Sequence, residues 1–484
     1  MLKRLLVLLS FCSLAWTLPA YAQEDEAMNG AATLGEVFGY ISKFHLSSPD
    51  VKELTNASID GMLDHLGDPY TVYFAPGEFD QFSDELNGDF EGIGAELESQ
   101  DQYPRVVRVL PESPAKQADL RVGDIILKVD SQDIAGKPLT DVVSMLRGKK
   151  GTKVYLTVRR AGQKDVQLGI TRNIVNMPTV YSEVLNQKIG YISIDSFGME
   201  TGTEFGDAFL QLKEKGIDSL IIDLRNNGGG YVDSSAEIAS FLLGKDKTIF
   251  VTEDRNKRRD AYVTEYEEIA NKIPMVVLVN EQTASASEIL AGALQDYGMA
   301  TLLGTKSYGK GTVQDIIPLG NGGALKMTTA EYLTAKERKI NGIGLKPDRF
   351  VATPALQLYR ATQLLHPSKL EMQYTENKAL INGKKFNLPA IVKVGGEWFV
   401  PLRATVEALG FEANWDKQNN RIVVSGNNLS WGLPVLGDKS ILNGQPKQIH
   451  PLQAKDSSSY IAAADLRLLG AEVLLQPNEV LIKN

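Results

Sequence analysis

This chain has to do its chemistry with almost no cysteine and very little histidine. Its 484 residues include one cysteine, Cys12, and four histidines: His45, His65, His366 and His450. Cys12 sits in the apolar N-terminal segment, so a chain processed behind that segment has neither a disulfide nor a thiol nucleophile. The histidines are scattered and never occur in a ligand-like pair, which argues against a zinc site. No histidine lies between His65 and His366, so a Ser–His–Asp triad would have to borrow one from a flanking segment. A basic excess is also missing. Lys and Arg total 51 against 60 Asp and Glu, a formal charge of −9, and a nucleic-acid partner would need a basic face. Beyond the first residues no apolar run is long enough to span a bilayer. No metal or organic cofactor is implied.

What is present begins with export. Lys3 and Arg4 precede the apolar run Leu5 to Leu18, and Pro19-Ala20-Tyr21-Ala22 has the small-residue form of a cleavage site ahead of the acidic Gln23 to Glu26. This is the pattern of a signal peptide over residues 1–22, which predicts an extracytoplasmic protein. Phe11 stands where a lipoprotein signal wants a small residue before Cys12, so lipidation is not expected.

The length calls for several domains. Residues 28–88 read as helices, with Leu34, Val37, Phe38 and Ile41, and again Ile59, Met62, Leu63 and Leu66, at helical spacing. Residues 89–172 carry short β-like runs with two short helices, the pattern of a small half-open barrel. Residues 173–366 alternate strand and helix, with Lys188 to Ile194, Ser219 to Leu224 and Met275 to Val279 as buried strands, which predicts α/β layering on a mostly parallel sheet. Residues 378–484 contain an internal repeat. Asn382-Gly383 recurs 61 positions on as Asn443-Gly444, and each copy runs through a helix ending in Leu-Gly to a strand. Two copies of one small αβ unit packed together is the reading. The unit is expected to fold by itself, as an accessory to the chemistry.

Candidate chemistry gathers at three places. Ser285 stands where an apolar strand gives way to a helix, in Thr283-Ala284-Ser285-Ala286-Ser287-Glu288. Ser285-x-x-Glu288 fits a helix capping box, but the free amides of a helix N-terminus also suit a developing oxyanion. A serine nucleophile needs a base, and with histidine missing that leaves lysine. Lys310 follows 25 positions later between Gly309 and Gly311. In a strand over 310–317, alternation would put Lys310, Thr312 and Gln314 on one face. Lysine acts as a base only when uncharged, and burial in an apolar pocket favours that form. The third place is Asp223-Leu224-Arg225-Asn226-Asn227-Gly228-Gly229-Gly230, a glycine loop straight after a strand, whose amides can bind an anion. Gly304-x-x-x-x-Gly309-Lys310 imitates a phosphate-binding loop. Gly311 takes the place of its Ser or Thr, and a strand follows where a helix is required.

On these motifs the chain resembles the carboxyl-terminal processing peptidases, also called tail-specific proteases, over roughly residues 30–366. The further signatures are Gly67-Asp68-Pro69-Tyr70, Phe90-Glu91-Gly92-Ile93-Gly94 and Arg147-Gly148-Lys149-Lys150-Gly151-Thr152. The resemblance implies Ser285 as nucleophile, Lys310 as general base, Gln314 as the residue orienting the lysine, and the amides of Gly229 and Ala286 as the oxyanion hole. The family usually has proline where this chain has Gly228. It also implies a PDZ domain over 89–172, with Gly92, Ile93, Gly94 and Ala95 as the carboxylate-binding loop for substrates with free C-termini, and Arg147 coupling that domain to the protease. The flanking helices imply a homodimer. Residues 378–484 resemble the stalk-type domain named from the N-terminus of copper amine oxidases, common on exported proteins of Gram-positive bacteria, which implies a cell-envelope partner.

The expected architecture is therefore an α/β multidomain chain: a helical N-terminal arm, a PDZ-like domain, a crotonase- or ClpP-like α/β peptidase core, and a C-terminal α+β repeat domain. The expected activity is that of a serine endopeptidase with a Ser–Lys dyad. A non-catalytic peptide-binding scaffold and a crotonase-like acyl-CoA enzyme are the alternatives. A serine-reactive probe separates the first from a protease, and CoA binding separates the second.

Overall fold

A computed structural model describes residues 18–484 except Asp101, Gln187, Asn271, Lys272 and Ser457. Most of the expected export signal lies outside the described residues. No helix among the described residues is long and apolar enough to cross a membrane. The chain divides into two compact units. One takes the N-terminal residues up to Gly77 together with Gln314–Thr328, and the other takes Glu78–Val313 with Thr329–Asn484.

The first unit contains the helices Leu18–Phe44 and Val51–Leu66. Asp50 caps the second helix by accepting from the Glu53 amide, and Gly67 ends it at φ 63°. A left-handed C-terminal residue is where glycine is cheapest. Asp68 then accepts from the Tyr70 amide and the Thr71 hydroxyl. The strand Val72–Phe74 pairs antiparallel with Ala324–Lys326. The apolar stripes read from the sequence stay uncovered: Val37, Leu34, Met62 and Leu66 are all more than half exposed.

In the second unit, the PDZ-like domain is a sheet in the order Ala95–Gln100, Tyr103–Val109, Ile125–Val129, Lys153–Arg159, Val166–Thr171. Ala95–Gln100 is an edge strand, and the helix Leu139–Leu146 packs beside it. A two-stranded ribbon, Asp89–Gly92 with Asn173–Asn176, carries the chain into and out of this domain.

The peptidase core is a sheet in the order Val180–Leu185, Ile189–Ile194, Ser219–Asp223, Met275–Val279, Ala300–Gly304, Arg349–Phe350. All neighbours after the first pair are parallel. Ser219–Asp223 and Met275–Val279 are buried at every position, as a parallel sheet covered on both faces requires. The faces divide by alternation. Leu220, Ile222, Val277 and Val279 pack in one core with the crossover helices Thr201–Glu214, Val232–Leu243 and Ala286–Asp296. Ile221, Val276 and Leu278 belong to another core.

That other core corrects the expectation of a self-contained C-terminal unit. It runs without a break from Ile221, Val276 and Leu278 through Leu356 and Ala361 of the helix Pro354–Leu365 to Val400, Val406, Trp431 and Ile482. The helix Pro354–Leu365 covers this face of the peptidase sheet, and the C-terminal unit packs against that helix. Polar contacts reinforce it: buried Glu407 accepts from the Ala352 and Thr353 amides at 2.9 and 3.0 Å. The unit also begins earlier than residue 378, because Glu371–Thr375 pairs with Glu479–Lys483. The repeat is real, but its copies exchange strands. The hairpins at Asn382 and Asn443, both with φ 48°, lie in sheets completed by strands of the opposite copy. The copies meet where Val400 pairs with Ile461.

Candidate active site

Ser285 sits at the amino end of the helix Ala286–Asp296 with φ 57° and ψ −121°. A positive φ is costly for a residue with a side chain and is kept only where the surroundings enforce it. The sharp turn from strand Met275–Val279 into the helix enforces it here. The capping box expected from Ser285-x-x-Glu288 forms: the Ser285 side chain faces the Glu288 amide, and the Ser285 amide donates to Glu288 Oε2 at 3.1 Å. Ser285 is only partly buried.

Glu288 does more than the sequence suggested. Fully buried, its Oε2 also accepts from the Lys310 amide at 2.9 Å, while Oε1 accepts from the Gly309 amide at 2.8 Å and the Ser307 hydroxyl. One carboxylate therefore ties the backbone of Ser285 to the backbone of Lys310. Burial pushes this carboxyl above the usual carboxylate range, although its four hydrogen bonds pull the other way. The sequence offered only the i, i+3 spacing; the approach of the 307–310 loop is a tertiary fact.

Lys310 is half-buried on the loop before the strand Thr312–Pro318, so that strand starts later than the sequence led us to expect. The flanking glycines are needed for close approach. A Cβ on Gly309 would lie 2.8 Å from the Gly344 amide nitrogen, and one on Gly311 would lie 2.3 Å from that of Asn341. The Tyr308 amide donates to Thr283 O at 3.0 Å, binding the lysine loop to the serine turn. Tyr332 Oη donates to Ser285 O at 3.2 Å. Gln314 begins the segment that belongs to the first unit, where its Nε2 donates to Thr328 Oγ1 at 3.3 Å.

The glycine loop meets the serine directly. A Cβ on Gly229, which has φ 101°, would lie 2.7 Å from Ser285 Cβ and 3.0 Å from the Ala286 nitrogen. Gly229, Ser285 and Ala286 are thus brought together. The Gly229 amide, however, donates to Asn227 Oδ1 at 2.8 Å. Asn227 carries no exposed surface, and its own carbonyl accepts from the Ala284 amide and the Ser287 hydroxyl, both at 3.0 Å.

Comparison with known proteins decides the family. Residues 188–351 match the model of peptidase family S41, residues 105–160 that of the PDZ domain, and residues 380–479 that of the copper amine oxidase N-terminal domain. The carboxy-terminal processing protease CtpB of Bacillus subtilis is 34% identical over 379 residues, covering 76% of this chain and 78% of that one. The chain belongs to the carboxy-terminal processing proteases. The CtpA protease of the same organism is 36% identical over 314 residues, 65% of this chain and 67% of its own. A solved photosystem II D1 C-terminal processing protease is 28% identical, covering 68% of this chain and 89% of its own, with a TM-score of 0.42. This protease is accordingly a serine peptidase with a PDZ domain.

The expected tail-binding loop lies away from the serine, between the ribbon and the PDZ edge strand. Its peptide planes are fixed: Ile93 O accepts from the Ala115 amide at 2.7 Å and Gly94 O from the Leu110 amide at 3.0 Å. Gly94, at φ 79°, presses on Ser113. Arg147 ends the helix Leu139–Leu146 and lies 5.6 Å from the centre of the Phe90 ring. With Phe90, Met177, Tyr181 and Asp195 it lines a cavity of about 320 Å³ where the PDZ domain meets the peptidase core. Among the described residues no group of three His, Cys, Asp or Glu forms a metal-binding cluster.

Proposed function

We propose that this protease cleaves its substrates with Ser285 as nucleophile and Lys310 as base. Neutral Lys310 Nζ takes the Ser285 proton as Oγ adds to the scissile carbonyl carbon, and the resulting lysine ammonium gives that proton to the departing amine. Water then hydrolyses the acyl-enzyme. Ala286 and Gly229 are the oxyanion donors, and the resemblance assigns Gln314 to orient the lysine. The observation that carries this reading is the strained Ser285, whose backbone shares one buried carboxylate with that of Lys310. A fluorophosphonate probe tests it: the intact protease should be labelled at Ser285, and Ser285→Ala should not be labelled. Labelling elsewhere, or undiminished cleavage by Ser285→Ala, would remove the assignment.

The remaining parts of the reading concern the substrate and the setting. A substrate's free C-terminus binds at Gly92–Ala95 and extends as an added strand along the edge Ala95–Gln100 beside the helix Leu139–Leu146. Arg147, in the cavity between domains, couples tail capture to the core. The exposed apolar faces of the N-terminal helices support a homodimer. The charged start, apolar run and cleavage site of residues 1–22 support export, and the C-terminal unit supplies a surface for a cell-envelope partner.

A further inference from the structure

The oxyanion donor assigned above is already occupied by a side chain of the same loop. The Gly229 amide donates to Asn227 Oδ1 at 2.8 Å, and Asn227 Nδ2 donates to Ile194 O at 2.7 Å. The orientation of the carboxamide follows from its partners, since only its oxygen can face an N–H and only its nitrogen a carbonyl. Its backbone is fixed as well, by the amide of Ala284 and the hydroxyl of Ser287 on either side of the nucleophile. Asn227 thus cannot drift away from Gly229 while the strand end at Ile194 and the serine turn keep their places. Gly229 is nevertheless pressed against Ser285 Cβ and the Ala286 nitrogen. The loop is at the site, but one of its two donors is turned to an internal acceptor.

We propose that Asn227 is a positioning residue that latches the oxyanion hole: its carboxamide holds the Gly229 amide until the substrate's oxygen displaces it. This rests on the assignment of Gly229 as a donor. The backbone that carries the latch is tied to the entry of the PDZ domain. The Phe197 amide donates to Gly229 O at 3.0 Å, and the Tyr231 amide donates to Phe197 O at 2.7 Å. Beside Phe197, Ser196 Oγ donates to Leu86 O and the Met199 amide donates to Asn87 Oδ1, both at 3.0 Å. The Met177 amide in turn donates to Gly88 O at 3.0 Å, joining the two chain segments that lead into and out of that domain. Ile194, Asn227's anchor, lies on the same stretch as Ser196 to Met199. A shift of that stretch when a tail docks on the PDZ domain therefore moves the anchor and the loop carbonyl together.

The intact protease tests this with a peptide boronic acid that bonds to Ser285 Oγ. In the crystal structure of the adduct, Gly229 N should lie within hydrogen-bond distance of a boronate oxygen and be parted from Asn227 Oδ1. An adduct in which the 2.8 Å contact survives would overturn the latch. Kinetics add a readout that a merely structural residue would not move. Asn227→Ala should raise kcat on a short peptide lacking a recognised tail by about fivefold at unchanged KM, the worth of one released hydrogen bond. It should also shrink the advantage of tailed substrates. Asn227→Asp keeps the acceptor and adds negative charge, so kcat should fall on both. An equal loss on both peptides for both folded variants would mean that Asn227 only supports the loop, and the proposal would be wrong. If the boronic acid forms no adduct at Ser285 and the fluorophosphonate also fails, the serine assignment itself has failed, and the latch with it.

Discussion

At the scale of single residues, the site is organised by a carboxylate as much as by the serine and lysine. Ser285→Ala and Lys310→Ala should each lower kcat at least about a thousandfold, with thermal unfolding and circular dichroism unchanged. Substantial turnover by folded Lys310→Ala would rule out the dyad. Glu288→Gln is the more discriminating substitution. One amide nitrogen would then face donor groups, whichever way the side chain turned. An unsatisfied pair of this kind costs about 1–3 kcal/mol, and it would fall on the backbones of both Ser285 and Lys310, so kcat should drop more than KM changes. The pH dependence has a definite sign. Burial holds the Glu288 carboxyl above the usual carboxylate range. In the folded state it keeps its proton to higher pH than in the unfolded chain. Its stabilising contribution is therefore complete below its ordinary pKa and is lost as pH rises through the raised one. Activity needs the ionised form, which accepts all four hydrogen bonds. The acid limb of kcat should accordingly lie above the normal carboxylate range; a profile flat down to ordinary carboxylate pKa values would contradict this role.

At the scale of elements, two loops set the geometry, and their glycines are irreplaceable for steric reasons. Gly229→Ala would place a methyl group 2.7 Å from Ser285 Cβ at a φ of 101°. We expect about a hundredfold loss of kcat with little effect on tail binding, measured by titrating a tail peptide while following turnover of an untailed one. The PDZ edge makes the complementary prediction. Amidating the C-terminus of a good substrate should raise KM about tenfold and leave kcat nearly unchanged if the carboxylate is bound at Gly92–Ala95, as proposed, rather than at Ser285. Equal KM values for the free and amidated substrates would show that this loop does not sense tails. Both loops could be found from glycine patterns in the sequence. Their contacts could not, because the partners of Gly309 and Gly311 are atoms of residues 340–344, some thirty positions away.

At the scale of the molecule, the C-terminal repeat unit shares a hydrophobic core with the peptidase. Its strands were recognisable, but the expectation that it stands alone fails because Ile221, Val276 and Leu278 on one sheet face share a core with Val400, Val406 and Ile482. A chain ending near residue 370 would keep the helix Pro354–Leu365 on this face but strip that helix of its packing against Val400, Val406 and Ile482. Such a chain should aggregate or lose cooperative unfolding, and should lose activity with its fold; full activity from a soluble truncation would show this packing to be dispensable. Glu407→Ala tests the same junction locally. It strands the Ala352 and Thr353 amides, and should destabilise by about 3 kcal/mol in denaturant titration without touching the serine.

The amino-acid sequence by itself determined the succession of helical, PDZ-like, α/β and repeat segments, and it marked residues 1–22 as an export pattern and Ser285 and Lys310 as the candidates for the chemistry. These follow from local periodicity, from glycine and proline placement, and from composition, all of which act over a few residues. Tertiary structure alone decided that Glu288 joins two loops, that Asn227 occupies the Gly229 amide, and that the repeat unit shares a core with the peptidase through the helix Pro354–Leu365. Each depends on which distant backbone arrives at a given face, and hydrogen bonding between segments far apart in the chain leaves no periodic mark on either of them.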